Sequence, residues 1–302
     1  MSKVKIVTDS NSGILQSEAK SMGIFVIPMP FTINGEEYLE EISMSQEKFY
    51  ELLKQNGDVT TSQPSQSYLE ELWTNLLEDY DEVVYMPMTS GLSKTCENAK
   101  NYAKAFGGKV QVVDNLRISV TLREAVLEAI ELAKQGKTAG EIKDYLESTK
   151  DKSSIYIMVD DLKYLKKGGR ISPTAAAIGA LLNIKPILSS RGHNFEKFAM
   201  ALSITQAKKK MIARIKQELE TEFKHDYDRG RMTVSIAHTQ NEKEAHKFKK
   251  EIQKAIPNVT FRFINPLSLS VSCHIGPGAL ACAITANKYM KKDKDKDKDK
   301  ED

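Results

Sequence analysis

The chain has 302 residues, of which 40% are hydrophobic and 28% charged, a composition typical of a globular protein. At roughly 100–200 residues per domain, this length predicts two domains. Lys and Arg total 44 and Asp and Glu total 41, so the chain lacks the strong basic excess of a dedicated nucleic-acid-binding protein.

Strand and helix patterns alternate through the first half of the chain. Short β-branched or apolar runs predict strands over residues 4–7, 24–28, 83–88 and 110–113. Apolar residues at helical spacing predict helices over residues 17–22, 45–54, 67–78, 94–106 and 116–135. The alternation predicts an α/β domain over residues 1–152, with a parallel sheet and helices on both of its faces.

The second half of the chain is patterned differently. We predict strands over residues 154–159, 185–188, 233–238 and 260–265, and helices over residues 174–182, 205–223, 242–255 and 279–289. This arrangement predicts a smaller α+β domain over residues 153–290. Residues 291–302 alternate in charge without one apolar side chain, and they are predicted to be disordered.

Cysteine usage and hydropathy predict the compartment. Cys96, Cys273 and Cys282 are odd in number and lack CxxC spacing, which favours a reducing environment. No apolar stretch approaches the roughly 20 residues needed to cross a bilayer, and the first residues lack the apolar core of a signal peptide. We therefore expect a cytoplasmic protein without a transmembrane segment.

Two hydroxyl-bearing segments lie before predicted helices. The loop Ser90-Gly91-Leu92-Ser93 follows a predicted strand, and Ser93 is the candidate N-cap of the next helix. A second cluster occupies residues 60–65, after which Ser65 or Ser67 is expected to cap a helix. Each segment could be an ordinary capped loop, or it could offer hydroxyl and backbone N–H donors to an anion.

A third segment, residues 273–279, places His274 next to two glycines, and residues 165–172 form a basic turn around Arg170. No second His or acidic residue lies at metal-ligand spacing from His274, so a metal site is not favoured. Taken together, three hydroxyl- or His-bearing loops that each lead into a predicted helix indicate one anion site. The chain has no nucleotide-binding fingerprint and no evident acid–base pair, which favours binding over catalysis.

The same segments, in this order, carry a resemblance to a known family. They are KIVTDSNSG near the start, TTSQPS at 60–65, TSGLSKT at 89–95, VVDN at 112–115, LKYLKKGGRIS at 162–172, NIKPIL at 183–188 and HIGPGAL at 274–280. From about residue 3 to residue 290, the chain resembles the DegV family, the fatty-acid-binding subunits of bacterial fatty acid kinase.

The resemblance implies a ligand, a partner and a set of binding residues. Members of the family hold one long-chain fatty acid in a buried tunnel between two domains, with no other cofactor. The acid's carboxylate is expected to meet Thr61 and Ser93, with Ser62 and His274 close by. The loaded protein is then presented to a separate kinase subunit, which transfers phosphate from ATP to the carboxylate.

The chain departs from the family pattern in ways that bear on the partner. Lys94 and Asn115 stand where a Gly and a Ser are usual, and Leu202 and Ile204 replace residues of a basic run thought to help the kinase subunit dock. Arg170 is retained and is a candidate partner-facing residue.

Two alternatives follow for the function. One is a lipid carrier or reservoir without a kinase partner, which the loss of the basic run favours. The other is a hydrolase or phosphotransferase with Ser93 as nucleophile and His274 as general base, although no third orienting residue is evident in the sequence.

Overall fold

The computed structural model describes residues 2–55, 57–178 and 184–289. Its strands are β1 (Val4–Asp9), β2 (Phe25–Ile27), β3 (Pro30–Ile33), β4 (Glu36–Leu39), β5 (Val59–Thr61), β6 (Glu82–Met86), β7 (Val110–Val112), β8 (Ser153–Met158), β9 (Lys185–Ser190), β10 (Glu196–Ala201), β11 (Met232–His238), β12 (Thr260–Pro266) and β13 (Leu280–Ala286). Its helices are α1 (Gln16–Met22), α2 (Gln46–Lys54), α3 (Gln66–Asp79), α4 (Thr95–Ala103), α5 (Val120–Lys134), α6 (Ala139–Ser148), α7 (Lys163–Gly168), α8 (Pro173–Ala176), α9 (Ile204–Glu220), α10 (Lys224–Asp228), α11 (Glu242–Ala255) and α12 (Leu269–Ile275).

The first sheet has the order β2-β1-β6-β7, and all its strands are parallel. Successive strand residues point to opposite faces, so Ile6 packs with α5 and α6 while Val7 packs with α3 and α4. The predicted parallel sheet with helices on both faces is confirmed. The loop after β6 therefore leaves the carboxyl edge of the sheet, where open α/β proteins bind ligands.

The second sheet has six strands in the order β10-β9-β8-β13-β11-β12, and only β11 and β12 are parallel neighbours. Helices α9 and α11 cover one of its faces. The opposite face packs against apolar side chains from the first half of the chain, including Leu92, Ile118 and Val120. This packing joins the two halves through a continuous apolar layer.

A small antiparallel sheet, β4-β3-β5, was not predicted. Phe31 of β3 and Phe49 of α2 form its core together with Leu269 and Cys273 of α12. Because β5 ends at Thr61, this sheet brings the 60–65 cluster to α12, more than two hundred residues further along the chain.

The predicted helix over residues 279–289 is wrong. Residues Leu280–Ala286 form β13, which pairs with β8 on one edge and β11 on the other. Leu280, Cys282 and Ile284 face α9 and α11, while Ala281 and Ala283 face the opposite layer. Pairing on both edges satisfies the strand's backbone groups, and this tertiary context overrides the helix propensity of alanine.

Two predicted helix starts also differ from the structure. Helix α5 begins at Val120 and not at Leu116, because Leu116 and Ser119 both have a φ of 55°, which a helix does not allow. Helix α4 begins at Thr95 with Lys94 as its N-cap, so the predicted capping by Ser93 is wrong. Ser65 does cap α3, where its hydroxyl accepts a hydrogen bond from the Tyr68 N–H at 3.2 Å.

Two sequence predictions fall partly or wholly outside the described residues. Of the predicted helix 174–182, the structure describes α8 and the residues up to Ile178, and the remainder lies beyond them. The charged segment 291–302 also lies outside the described ranges, and the boundary between residues 152 and 153 remains a prediction. In the ranges that the structure describes, no helix is long and apolar enough to span a membrane.

Candidate functional site

A cavity lies where the first sheet, the small sheet and the second sheet meet. The space within it that is open to the centre of a water-sized sphere is about 50 Å³. Residues from both halves of the chain line it: Asn11, Met29, Thr61, Ser62, Met88, Leu92, Ser93, Ile118, Leu165, Arg170, Phe195, Ser270, Val271, His274 and Ile275. All five residues singled out from the sequence are among them, whereas their role in binding remains a prediction.

A hydrogen bond joins two of the predicted site residues, Thr61 and His274. Thr61 is the last residue of β5, and its Oγ1 lies 2.9 Å from Nε2 of His274 in the last turn of α12. Ser62 follows with its backbone N–H bonded to the Pro30 carbonyl at 3.2 Å, which continues the pairing with β3. Strand pairing therefore holds the 60–65 segment against the imidazole.

His274 lies on a helix and not in a Gly-framed loop, which corrects the sequence prediction. Its ring packs against the end of α7, where a Cβ on Gly168 would come within 2.1 Å of Nδ1. Burial, and after it the Arg170 guanidinium, lowers the pKa of His274 to about 4. The imidazole is therefore neutral near pH 7, and it offers one N–H donor and one acceptor.

Ser93 reaches the cavity from the loop after β6. Its hydroxyl lies 2.9 Å from Oγ1 of Thr95 and accepts a hydrogen bond from the Thr95 backbone N–H at 3.2 Å. Because α4 begins at Thr95, the positive end of its helix dipole lies beside the Ser93 hydroxyl. The Ser93–His274 hydrogen bond required by the hydrolase hypothesis is not formed, because these two residues bond to Thr95 and Thr61.

The loop that carries Ser93 is held by a close backbone contact between the two halves. Oγ1 of Thr89 donates to the Gly192 carbonyl at 2.5 Å. A Cβ on Gly91 would lie 2.1 Å from that same carbonyl oxygen, so only glycine allows this approach. The contact positions Leu92 and Ser93 on the cavity wall.

Arg170 contributes the positive charge of the site. Its Nε donates to the Leu92 carbonyl at 3.2 Å, and an Nη donates to the Gly168 carbonyl. Within the described part of the chain, no carboxylate forms an ion pair with Arg170, and no acidic side chain lines the cavity. A half-buried guanidinium without an acidic partner among the described residues, in one cavity lining with four hydroxyl-bearing residues and an imidazole, favours an anionic ligand.

The sequence did not single out Asn11 and Ser270, which also line the cavity. Asn11 follows β1 at the carboxyl edge of the first sheet, and Ser270 belongs to the Ser-spaced segment that forms α12. Asn11 could have been found from its position shortly after a predicted strand of a parallel sheet, where ligand-binding residues commonly lie. Ser270 gave no signal, because the sequence predicted no helix over its segment.

No group of three or more His, Cys, Asp or Glu residues that could hold a metal ion occurs within residues 2–55, 57–178 and 184–289. Cys96, Cys273 and Cys282 are free and buried. The described polar groups of the cavity are therefore hydroxyls, amide, imidazole and guanidinium, which are all able to donate hydrogen bonds to an anion.

Two buried carboxyls, Asp9 and Glu40, lie behind the site. Burial raises the pKa of Asp9 to about 7. Hydrogen bonds from the backbone N–H groups of Met88 and Asn11 and from the Asn11 side-chain amide oppose this rise. Burial likewise raises the pKa of Glu40 to about 8, although its carboxyl accepts the Leu269 N–H at 2.7 Å. Both groups hold protons in the folded state at pH values where the unfolded chain releases them.

Because of this difference at Glu40, the free energy of unfolding is expected to fall as the pH rises from about 4.5 to about 8. In the Glu40→Gln variant, we expect a flatter pH dependence and an unfolding free energy at about pH 8 higher by on the order of 2 kcal/mol. Urea unfolding at several pH values measures this. Glu37→Gln, on an exposed residue of β4, is the control. Equal slopes in the wild type and the Glu40 variant would contradict the assignment.

The fold and the cavity together define a class of α/β protein in which three sheets meet at a cavity with grouped polar donors and an apolar wall. The family model described as "Uncharacterised protein, DegV family" matches residues 3–287. The chain therefore belongs to the DegV family.

Curated relatives and solved structures agree with this assignment. The chain is 32% identical to Protein DegV of Bacillus subtilis over 92% of this chain and 97% of that one. It is 30% identical to a DegV domain-containing protein of Staphylococcus aureus over 94% of this chain and 99% of the relative.

Among solved structures, this chain is similar to a DegV family protein from Thermus thermophilus that is described as binding a fatty acid. The TM-score is 0.85 and the identity 26%, with 94% of this chain and 99% of that chain covered. The structure of DegV from Bacillus subtilis, described as a fatty acid binding protein, has a TM-score of 0.80 and 30% identity, with 95% of this chain and 100% of that chain covered. These likenesses confirm the predicted fold class and the predicted family.

Proposed function

We propose that this protein binds one long-chain fatty acid, with the carboxylate among Thr61, Ser62, Ser93 and His274 and the acyl chain along the apolar wall of the cavity. One observation carries the proposal. A single cavity combines grouped hydroxyl and imidazole groups with apolar side chains from both halves of the chain, and the guanidinium of Arg170 lies among its lining residues.

The energetics suit such a ligand. Burying roughly 15 methylenes at about 0.8 kcal/mol each provides a gross driving force of about 12 kcal/mol, which the cost of ordering the chain reduces. A buried carboxylate is costly without hydrogen-bond partners. Hydroxyl donors and a neutral imidazole supply those partners, and the Thr61–His274 pair already places two of them 2.9 Å apart.

The relatives support the ligand class. The Thermus thermophilus and Bacillus subtilis structures, at 26% and 30% identity, are described as binding fatty acids and are matched over almost their whole length. A fatty acid is therefore the first ligand to test in this chain.

The proposal extends to a partner. The loaded protein presents its carboxylate to a separate ATP-dependent kinase subunit in the cytoplasm and performs no phosphoryl transfer itself. Arg170 is the residue expected to face that subunit, because it lines the cavity and remains half-exposed.

A carrier or reservoir without a kinase partner is the second candidate. Leu202, which stands where a basic residue is usual, is 74% exposed between β10 and α9. Ile204 packs partly against the core of the second sheet and offers no charge to a partner. An apolar residue exposed at this place favours a protein that does not dock a kinase through a basic surface.

The first experiment is native purification followed by extraction and mass spectrometry of the bound lipid. We expect a stoichiometric long-chain fatty acid. A delipidated sample that binds neither labelled oleate nor labelled palmitate would refute the proposed function. Reconstitution with a fatty acid kinase catalytic subunit and ATP then separates the candidates, since acyl-phosphate formation excludes a pure carrier.

A further inference from the structure

The hydrogen bond between Thr61 and His274 can run in either direction. Its heavy atoms, Oγ1 of Thr61 and Nε2 of His274, lie 2.9 Å apart, and both residues line the cavity. If Thr61 donates, its hydroxyl has only lone pairs left for a ligand, whereas its hydrogen stays free if His274 donates. The direction of this bond therefore decides whether Thr61 can donate to a carboxylate.

The protonation state of the imidazole determines that direction. A neutral imidazole carries one N–H and can take either part in the bond, whereas an imidazolium carries an N–H on both ring nitrogens. Nε2 of an imidazolium has no lone pair with which to accept, so it donates to Thr61. A proton on His274 therefore makes the Thr61 hydroxyl a donor to the cavity and places a positive charge beside it.

The other donors of the cavity are partly engaged. Ser93 shares a hydrogen with the Thr95 hydroxyl across 2.9 Å, and it also accepts the Thr95 backbone N–H. Arg170 donates through Nε to the Leu92 carbonyl and through an Nη to the Gly168 carbonyl. A carboxylate in this cavity therefore gains from an additional charged donor, because a hydrogen bond between charged groups is about twice as strong as a neutral one.

The charges around His274 change sign when a carboxylate arrives. In the empty site, the Arg170 guanidinium is the charged group that lowers the pKa of His274 beyond the effect of burial. Among the described residues, no acidic side chain that lines the cavity compensates that charge. A ligand carboxylate within about 4–6 Å of the ring favours the imidazolium, and it also offsets the charge of Arg170.

Other titratable groups surround His274 without lining the cavity: Lys163, Tyr164, Lys166 and Lys167 of α7, Tyr50 of α2, Cys273 of α12, and Asp9 and Glu40 behind the site. Lys163 and Lys167 pair with exposed carboxylates, and Lys166 donates to a backbone carbonyl. Burial raises the pKa values of Tyr50 and Cys273, so both stay uncharged near pH 7. Asp9 and Glu40 titrate near pH 7 and 8, so the test has to separate them from His274.

We infer that His274 takes up one proton from solvent when the fatty acid binds, so that its Nε2–H donates to Thr61 and the Thr61 hydroxyl donates to the carboxylate. No covalent bond of the ligand forms or breaks, and the proton returns to solvent when the ligand leaves. The inference rests on the proposed fatty acid function and adds its regulation by pH. Because binding takes up a proton, affinity rises as the pH falls.

The first test is nitrogen NMR of isotope-labelled histidine rings, with and without carboxyl-labelled hexadecanoate, at about pH 6. In the delipidated protein we expect a neutral His274 ring, because its pKa is about 4. In the complex we expect both ring nitrogens of His274 to carry protons and the labelled carboxyl to be ionised. The spectrum of His274→Gln assigns the ring signals.

The second test is calorimetry in two buffers of different ionisation enthalpy, which counts the protons taken up. At about pH 6, the wild type should take up about one proton more per ligand than His274→Gln. Between about pH 8 and about pH 6, its affinity should rise about 10-fold more than that of the variant. Titration of Asp9, Glu40 and the free ligand is common to both proteins and cancels. His246→Gln, on the exposed face of α11, is the matched control and should behave like the wild type.

Failure of the wild type to bind hexadecanoate at either pH would refute the proposed function itself. A His274 ring that stays neutral in the complex, equal proton uptake in the wild type and His274→Gln, or a protonated ligand carboxyl would each overturn the inference. If His274→Gln does not fold, the change in the wild-type ring signals on binding decides alone, and the absence of a newly protonated ring contradicts the inference.

Discussion

The Thr61→Ala/Ser93→Ala double variant is expected to bind long-chain fatty acids at least about 100-fold more weakly than the wild type. A hydrogen bond to a charged group contributes about 1.5–3 kcal/mol, and every 1.4 kcal/mol is a tenfold change in affinity. Both hydroxyls belong to residues that line the cavity, and Thr61 also positions the His274 ring through its 2.9 Å contact. Removing both leaves a buried carboxylate with too few donors.

Displacement of a fluorescent fatty acid measures this loss. The matched control is Thr60→Ala/Ser90→Ala, because Thr60 and Ser90 carry the same side chains on the same two segments but are exposed and do not line the cavity. The control should bind like the wild type. Equal affinity in the Thr61/Ser93 double variant would show that the carboxylate is held elsewhere.

The largest loss of stability is expected for Arg117→Met. Arg117 and Glu128 are 0% and 1% exposed, and Nη1 of Arg117 lies 3.3 Å from Oε2 of Glu128. A second Nη donates to the Thr149 carbonyl at 3.2 Å. Removing one partner of a buried ion pair costs about 3–5 kcal/mol, because the other charge remains buried without compensation. Since Ile118 follows directly, the cavity wall should loosen as well.

Urea unfolding of Arg117→Met at two pH values tests this expectation. Burial raises the pKa of Glu128, and the positive charge of Arg117 partly opposes that rise. Because the variant removes this charge, the pKa of Glu128 should rise further. The folded state then keeps a proton that the unfolded chain releases above its ordinary pKa, and the loss should be larger at about pH 8 than at about pH 5.

The Arg117→Met/Glu128→Met double variant is the control for this pair. It should recover much of the lost stability, because an apolar pair of similar volume leaves no uncompensated charge in the core. A loss below about 1 kcal/mol in Arg117→Met would mean that the pair is not buried as described.

Local patterns along the chain were enough to predict the strands of the first sheet and most of its helices, whereas seven motifs taken together carried the resemblance to the family. β-branched runs ended at turn residues, apolar residues recurred at helical spacing, and Ser65 stood at a helix start; each of these signals acts within a few residues. The same locality placed Thr61, Ser93 and Arg170 in loops or strand ends that line the cavity.

Long-range packing determined the rest. Residues Leu280–Ala286 form a strand because β8 and β11 pair with both edges, a context that alanine-rich sequence does not reveal. The Thr61–His274 bond joins residues 213 positions apart, and it exists because the small sheet packs on α12. Asn11 entered the site in the same way, through the serines of α12. Such contacts depend on which surfaces pack together in the folded protein. The free energy of this packing comes from many contacts across the whole core and not from a few neighbouring residues.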